Sequence, residues 1–307
     1  MNTQTAIVHK STNDLSMVVT MVKDALTSEN SKRAYGKALI DFLGWYADQG
    51  QPRLSKAVVQ RYKAELVDSG LSPASINLRL SAIRKLASEA ADNGYLPQAL
   101  ANGIIKVGGI TTKGVRIGNW LNKQQAQELI RLPDTTRLKG KRDRAILAVM
   151  LGGGLRRSEV AALTFEHIQM REARWVIVDL VGKHNRVRPV PIPSWAKAAI
   201  DDWSQAAGIS SGLVFRRINK VDHLVSNSMT PQAVYDVVKE YSTWMGYPVA
   251  AHDLRRTFAK LARKGGSELT QIQLTLGHSN VAVTQKYIGE EQSLTDAPCD
   301  HLGLSLD

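Results

Sequence analysis

Three short segments and one tyrosine place cationic and nucleophilic side chains at a spacing suited to attack on a phosphodiester. In Gly154-Leu155-Arg156-Arg157-Ser158-Glu159-Val160 an arginine opens a helix directly after a glycine turn, where its planar fork can meet phosphate oxygens. Glu159, three residues on, is within reach of Arg156. His252-Asp253-Leu254-Arg255-Arg256-Thr257 puts His252 and Arg255 on one helical face, an imidazole to move a proton beside a guanidinium to offset a non-bridging oxygen. Leu276-Gly277-His278-Ser279-Asn280 adds a third basic donor at a helix start. Tyr287 follows His278 by nine residues, about two and a half helical turns. Taken singly, each segment also fits an ordinary role: exposed arginines, a structural histidine, a core tyrosine. Tyr241 and Tyr247 are alternative attacking groups, and either Arg156 or Arg157 can be the inward arginine.

Other chemistries lack their residues. There is no phosphate-binding loop ending Gly-Lys-Ser/Thr, no Gly-x-Gly-x-x-Gly after a strand, no Gly-x-Ser-x-Gly and no His-Glu-x-x-His. Gly152-Gly153-Gly154 follows a helix and reads as a helix stop with a tight turn. No acidic cluster suits magnesium. The lone Cys299 forms no internal disulfide, and no ligand pair stands at metal spacing, so no metal and no cofactor are expected.

Charge points to the partner. Lys and Arg number 40 against 28 Asp and Glu, giving +12, and such an excess favours a polyanion through counterion release. No block of five like charges occurs, so the positive charge belongs to folded segments. A hydrophobic fraction of 43% with 22% charged residues is ordinary for a chain that buries a core. No apolar run is long enough to span a bilayer, and Leu15–Val22, broken by Ser16 and Thr20, does not read as a signal peptide. A cytoplasmic, nucleoid-associated protein with no membrane partner is expected.

These side chains need a scaffold, and the length of 307 residues suits two domains. Residues 1–102 read as a bundle of four helices, carrying in turn Leu15 to Leu26, Tyr35 to Tyr46, Val58 to Leu66 (Ser55 as cap, Gly70 as stop) and Ile76 to Ala90 (opened by Ser72-Pro73, stopped by Asn93-Gly94). Lys32, Arg33, Arg79, Arg84 and Lys85 lie along them as candidate DNA-binding residues. Residues 103–118, rich in glycine and without an apolar period, read as a linker. Residues 119–307 read as a mixed α/β catalytic domain with a tail from about 289. Asn122 and Gln125 form a capping box, Arg144–Leu151 is an apolar helix, and Arg174–Leu180 with Val187–Ile192 make a β-hairpin. Helices follow at Trp195–Ala207, Pro231–Met245, His252–Lys264, Glu268–Leu276 and Val281–Ile288. The expected fold is mainly α with a small antiparallel β-sheet.

The order Gly-Leu-Arg-x-Ser-Glu, His-x-Leu-Arg-Arg-Thr, then Leu-Gly-His-Ser-Asn with a later Tyr resembles the tyrosine recombinase family of phage-type integrases and chromosome-dimer resolvases. The resemblance spans about Leu121 to Ile288, and more loosely the helical half around Leu71–Arg84. It implies that Arg156 and Arg255 hold the scissile phosphate, that His252 and His278 fill the family's histidine positions, and that Tyr287 is the nucleophile. Lys183, in the hairpin turn, matches the family's lysine and becomes the general acid, with His184 and Arg186 as alternative tip residues. Where the family carries a threonine before Gly-Leu-Arg, this chain has Gly153, a change in the turn and not in the chemistry. The implied reaction is site-specific DNA recombination through a covalent 3′-phosphotyrosyl intermediate and a Holliday junction, serving integration, excision or resolution without ATP. The rival functions are a type IB topoisomerase and a catalytically silent DNA-binding regulator. The implied partners are double-stranded DNA and accessory DNA-bending proteins. The protein is expected to be a monomer when free and a homotetramer in the synapse, with Leu302, Leu304 and Leu306 of the tail docking on the next subunit.

Overall fold

The computed structural model describes residues 12–111, 119–182 and 187–288, and among these the side chains of residues 12–16, 181, 286 and 287 are not described. The chain divides into two compact units, Met1–Val115 and Arg116–Asp307. No helix of the described residues is long and apolar enough to cross a membrane.

The first unit contains α1 (Thr12–Asp24), α2 (Glu29–Asp48), α3 (Lys56–Asp68), α4 (Pro73–Asp92) and α5 (Gln98–Ile105). Their apolar stripes meet in one core that includes Val18, Val22, Leu39, Phe42, Leu80, Ile83 and Leu86, because residues three and four apart share a helix face. Phe42, Trp45, Tyr46 and Tyr62 form an aromatic cluster where α2 meets α3. Ser72 caps α4 by accepting from the Ser75 backbone N–H, with Pro73 in the first turn. Leu26 lies beyond the end of α1.

A fifth helix was not expected from the sequence. Ala101 and Ile104 of α5 are buried, so Gly103 lies inside a helix and does not open a linker. The chain stays attached beyond it. Lys63 donates to the Gly108 carbonyl at 2.9 Å, and Asn77 exchanges two hydrogen bonds with the Ile110 backbone at 2.7 and 3.0 Å. Arg84 also donates to a carbonyl here, that of Val107. The expected linker residues 112–118 lie outside the described residues.

The second unit is built around α7 (Leu138–Gly153), where Ala145 through Leu151 are all buried. Around it stand α6 (Lys123–Arg131), α8 (Arg157–Ala161), α9 (Ser194–Ala207), α10 (Pro231–Trp244), α11 (Ala251–Lys264), α12 (Leu269–Leu276) and α13 (Val281–Ile288). The Asn122–Gln125 capping box is present in full, and Thr230 caps α10. The antiparallel sheet has the order β1 (Ile168–Arg171), β2 (Arg174–Val181), β3 (Val187–Pro191). Ile177 pairs with both Ile168 and Val190, and Leu180 pairs with Arg188. The strand β1 was not expected from the sequence. Its two-residue turn, Glu172-Ala173, takes positive φ at both positions, 48° and 58°, the geometry that glycine or asparagine normally advertises.

Helix α7 begins six residues earlier than the Arg144 start expected. Two of its first backbone N–H groups, those of Leu138 and Lys139, donate to the Asp222 carboxylate at 2.7 and 2.8 Å. A remote residue therefore satisfies the orphan donors that a local cap would take. Close packing follows: a Cβ on Gly140 would stand 1.8 Å from the Asp134 carbonyl oxygen. Gly140→Ala must shift backbone and is expected to cost about 1–3 kcal/mol. At the exposed Gly44 of α2 a Cβ meets nothing within 4 Å, and Gly44→Ala is expected to gain about 0.5–1 kcal/mol. Urea unfolding of both variants checks the opposite signs; shifts of the same sign contradict the account.

Candidate active site

The site is assembled from α8, β3, α11, α12 and α13 of the second unit, beginning with the turn that ends α7. Gly154 takes φ 61°, and a Cβ there would come within 2.7 Å of the Phe258 ring and 2.9 Å of Leu276. Only glycine combines that backbone angle with that approach. The turn sends Leu155 into the core and sets Arg156 at the start of α8. There the Arg156 backbone N–H donates to one Glu159 carboxylate oxygen at 2.8 Å, and its guanidinium donates to the other at 2.6 Å. Glu159 thus holds Arg156, as the sequence implied. Arg157 instead lies exposed over the Tyr235 ring, 5.7 Å from its centre, so Arg156 is the inward arginine.

Arg255 comes from α11 and is 1% exposed. It donates to the Gly154 carbonyl at 2.7 Å and to the Leu276 carbonyl, which also accepts from Arg156 at 3.4 Å. Both expected phosphate-holding arginines therefore converge on the carbonyl end of α12, where the helix dipole is negative. The Arg255 Nε–H is buried without a hydrogen-bond partner among the described residues.

A third arginine joins them that was not singled out from the sequence. Arg188 on β3 makes two hydrogen bonds of 3.0 Å to Glu159 and one of 2.7 Å to the Thr275 carbonyl. A signal was present: Arg188, Val190 and Ile192 alternate along one strand face and all three are buried. An arginine at an inward strand position is an anomaly that asks for a charge partner. Gly182 lies against the same cluster, since a Cβ on it would meet Arg188, Glu159 and Arg156 side-chain atoms at 2.8, 3.3 and 3.4 Å. Lys183, the next residue, and the alternatives His184 and Arg186 lie outside the described residues.

Among the described residues, three guanidinium groups thus surround one carboxylate, and the electrostatics follow. Burial pushes the Glu159 carboxyl up, but hydrogen bonds from Arg188 and the Arg156 backbone, and both guanidinium charges, hold it below the ordinary carboxylate range. Burial and then the Arg156 charge pull Arg255 down to about 9, still cationic at neutral pH. His278, between α12 and α13, is pulled down to about 4 by burial and by Arg255, Arg156, His252 and Arg188. Partial loss of water around His252, and then the Arg255 and Arg256 charges, lower it as well. Both imidazoles are neutral at pH 7. Each can accept one proton and donate another.

The expected nucleophile, Tyr287, lies on α13, and its side chain is outside the described residues. Helix α13 is seated by Ile288, which packs with Ala259, Ile272 and Leu276. Of the alternatives, Tyr241 is buried and its hydroxyl donates to Asp143 at 3.1 Å. Burial and the Asp143 charge raise it far above the ordinary tyrosine value, so it is unsuited to attack. Tyr247 is exposed. Among the described residues, no group of three or more His, Cys, Asp or Glu is placed to hold a metal ion. The candidate DNA-binding residues lie on the first unit. Lys32 pairs with Glu29, Arg33 with Asn30, Arg79 with Asp41 and Lys85 with Glu89, whereas Arg84 holds the Val107 carbonyl.

Residues 119–293 match the family model described as the phage integrase family, and residues 21–94 match the phage integrase N-terminal SAM-like domain. The chain belongs to the phage integrase family and so is a tyrosine recombinase. It is 28% identical over 266 residues to tyrosine recombinase XerC of Xanthomonas campestris pv. campestris (strain B100), covering 85% of this chain and 78% of that one. It is 28% identical over 265 residues to tyrosine recombinase XerD of Lacticaseibacillus casei, covering 83% and 85%. Its fold is that of XerH site-specific recombinase bound to palindromic difH substrate (TM-score 0.69, 18% identity, 92% of this chain and 82% of that one). The lambda integrase dimer bound to a COC′ core site shares it too (TM-score 0.69, 14% identity, 92% and 79%).

The lowered histidines make stability depend on pH. Folding favours the neutral ring, so the unfolded chain binds more protons between His278's value of about 4 and the ordinary 6.5. Stability is then full above pH 6.5 and is lost as pH falls through that window, with Glu159 adding its own loss at lower pH. Urea midpoints taken between pH 7.5 and 4.5 are expected to fall, and to fall less steeply in His278→Gln. An unchanged slope in that variant contradicts the placement of His278 beside the arginines.

Proposed function

We propose that this recombinase cuts and rejoins duplex DNA at specific sites through Tyr287. The observation that carries this reading is the excess of guanidinium groups over carboxylate around Glu159, which leaves two positive charges for an anion. A phosphodiester supplies that anion, and the relatives are named recombinases, while two solved structures of the same fold are described as bound to a palindromic difH substrate and to a COC′ core site. The Tyr287 oxygen bonds to phosphorus while the bond to the 5′-oxygen breaks, giving a 3′-phosphotyrosyl link. His252, neutral at pH 7, takes the phenolic proton, and Lys183 gives a proton to the departing 5′-oxygen. Arg156, Arg255 and His278 offset the charge gathering on the non-bridging oxygens, a role in which losing one donor typically costs 10²–10³-fold in rate. A second 5′-hydroxyl then attacks the phosphotyrosine, conserving bond energy and passing through a Holliday junction.

Four protomers act together on two duplexes in this reading, since each duplex is cut by two. Leu302, Leu304 and Leu306 of the tail provide the link between neighbours, accessory DNA-bending proteins assist, and the reaction takes place in the cytoplasm at the nucleoid. Lys32, Arg33, Arg79 and Lys85 contribute backbone contacts, with Arg84 acting mainly through its hold on Val107.

A nicked suicide substrate, which loses its short 5′-hydroxyl strand after cleavage, traps the covalent adduct. Wild-type protein is expected to form it in excess EDTA, and Tyr287→Phe to bind the same DNA without forming it. An adduct with the Phe variant, or one that needs magnesium, overturns the mechanism.

A further inference from the structure

His278 is tied to two helices at once. Its backbone N–H donates to the Gln273 carbonyl at 3.2 Å, and the Gln273 side-chain amide donates to the His278 carbonyl at 3.2 Å, fixing its main chain on α12. Its ring Nδ1 lies 2.9 Å from the Thr284 hydroxyl oxygen on α13. Thr284 is wholly buried, three residues before Tyr287.

Three other helical threonines, Thr243, Thr257 and Thr275, donate their hydroxyls to the carbonyl four residues back, at 2.7 to 2.9 Å. Thr284 does not: among the described residues its hydroxyl has one hydrogen-bond partner, the His278 ring. A buried hydroxyl proton needs an acceptor, and here the acceptor is Nδ1. A neutral imidazole carries one proton. With Nδ1 accepting, that proton sits on Nε2, on the other side of the ring. The opposite tautomer would present a lone pair to a phosphate oxygen and repel it.

We infer that Thr284 is a positioning residue that fixes His278 in its Nε2–H tautomer, ready to donate to the scissile phosphate. The inference rests on the recombinase reading above. The outer hydrogen bond of a working histidine generally sets its tautomer and ring orientation. Because Thr284 and Tyr287 share α13, the same seating of that helix presents the nucleophile's chain and sets the histidine's proton.

Two variants and one spectrum test this. In the full-length protein without DNA, long-range proton–nitrogen NMR of the His278 ring is expected to show the proton on Nε2, and Thr284→Val, which keeps shape but lacks the hydroxyl, to show a mixture of tautomers. On the suicide substrate Thr284→Val is expected to keep DNA binding and lose about 10- to 100-fold in adduct rate, while Thr284→Ser restores both tautomer and rate. A wild-type ring protonated on Nδ1 overturns the inference. A Val variant that keeps tautomer and rate, or a folded Ser variant as slow as Val, overturns it too. Should wild-type protein form no adduct at all, the recombinase reading fails, while the spectrum still decides the role of Thr284.

Discussion

Three guanidinium groups held around one buried carboxylate form the constraint on which this site depends. Arg156, Arg188 and Arg255 reach Glu159 or the end of α12 from three separate elements, α8, β3 and α11. Like charges brought together away from water are unfavourable unless partners offset them. Against three guanidinium charges stand one full negative charge, that of Glu159, and the dipoles of the Gly154, Thr275 and Leu276 carbonyls. The cost shows in the downward shifts of Arg255 and His278, whose causes include the neighbouring arginines. An anion that enters relieves the repulsion, so binding and stability are linked. The same arrangement suits a reaction whose transition state gathers negative charge on fixed oxygens, because the donors need no reorganisation when that charge arrives.

The backbone accounts for why the arginines can meet. Gly154 turns the chain so that its carbonyl faces Arg255, and α12 ends with Thr275 and Leu276 against Arg188 and Arg156. The end of α12 is therefore both a negative anchor for the cations and the start of the segment carrying His278. Moving α12 would disturb all three arginines and the imidazole together.

Much of this was legible in the sequence, and the parts that were not have physical reasons. The helical stripes were readable because a 3.6-residue period needs no tertiary information, and the Asn122–Gln125 capping box because its partners are three residues apart. Arg156, Glu159, His252, Arg255 and His278 were singled out by type and spacing, and the structure sets Arg156 against Glu159 and brings Arg156 and Arg255 to the same Leu276 carbonyl, with His278 within reach of their charges. The early start of α7 was hidden because its cap, Asp222, is far away in the chain. Strand β1 was hidden because Glu172 and Ala173 adopt positive φ without the glycine that usually marks such turns. Helix α5 was obscured by Gly103 within it and by the glycines that follow. Arg188 could have been found as a charge on the inward face of a strand, whereas Thr284 could not, since only the folded chain shows which threonine lacks a backbone acceptor.

Charge neutralisation by the cluster can be read from a substrate whose scissile group alone is neutral. Replacing the scissile phosphate with a methylphosphonate removes one negative non-bridging oxygen while keeping the P–O5′ bond that breaks in the proposed reaction. The measurement is the adduct rate of Arg156→Ala relative to wild type on the two substrates. The account predicts a deficit of about 10²–10³-fold on the phosphate that shrinks by at least about tenfold on the methylphosphonate. An equal deficit on both substrates would mean that Arg156 does something other than offset charge.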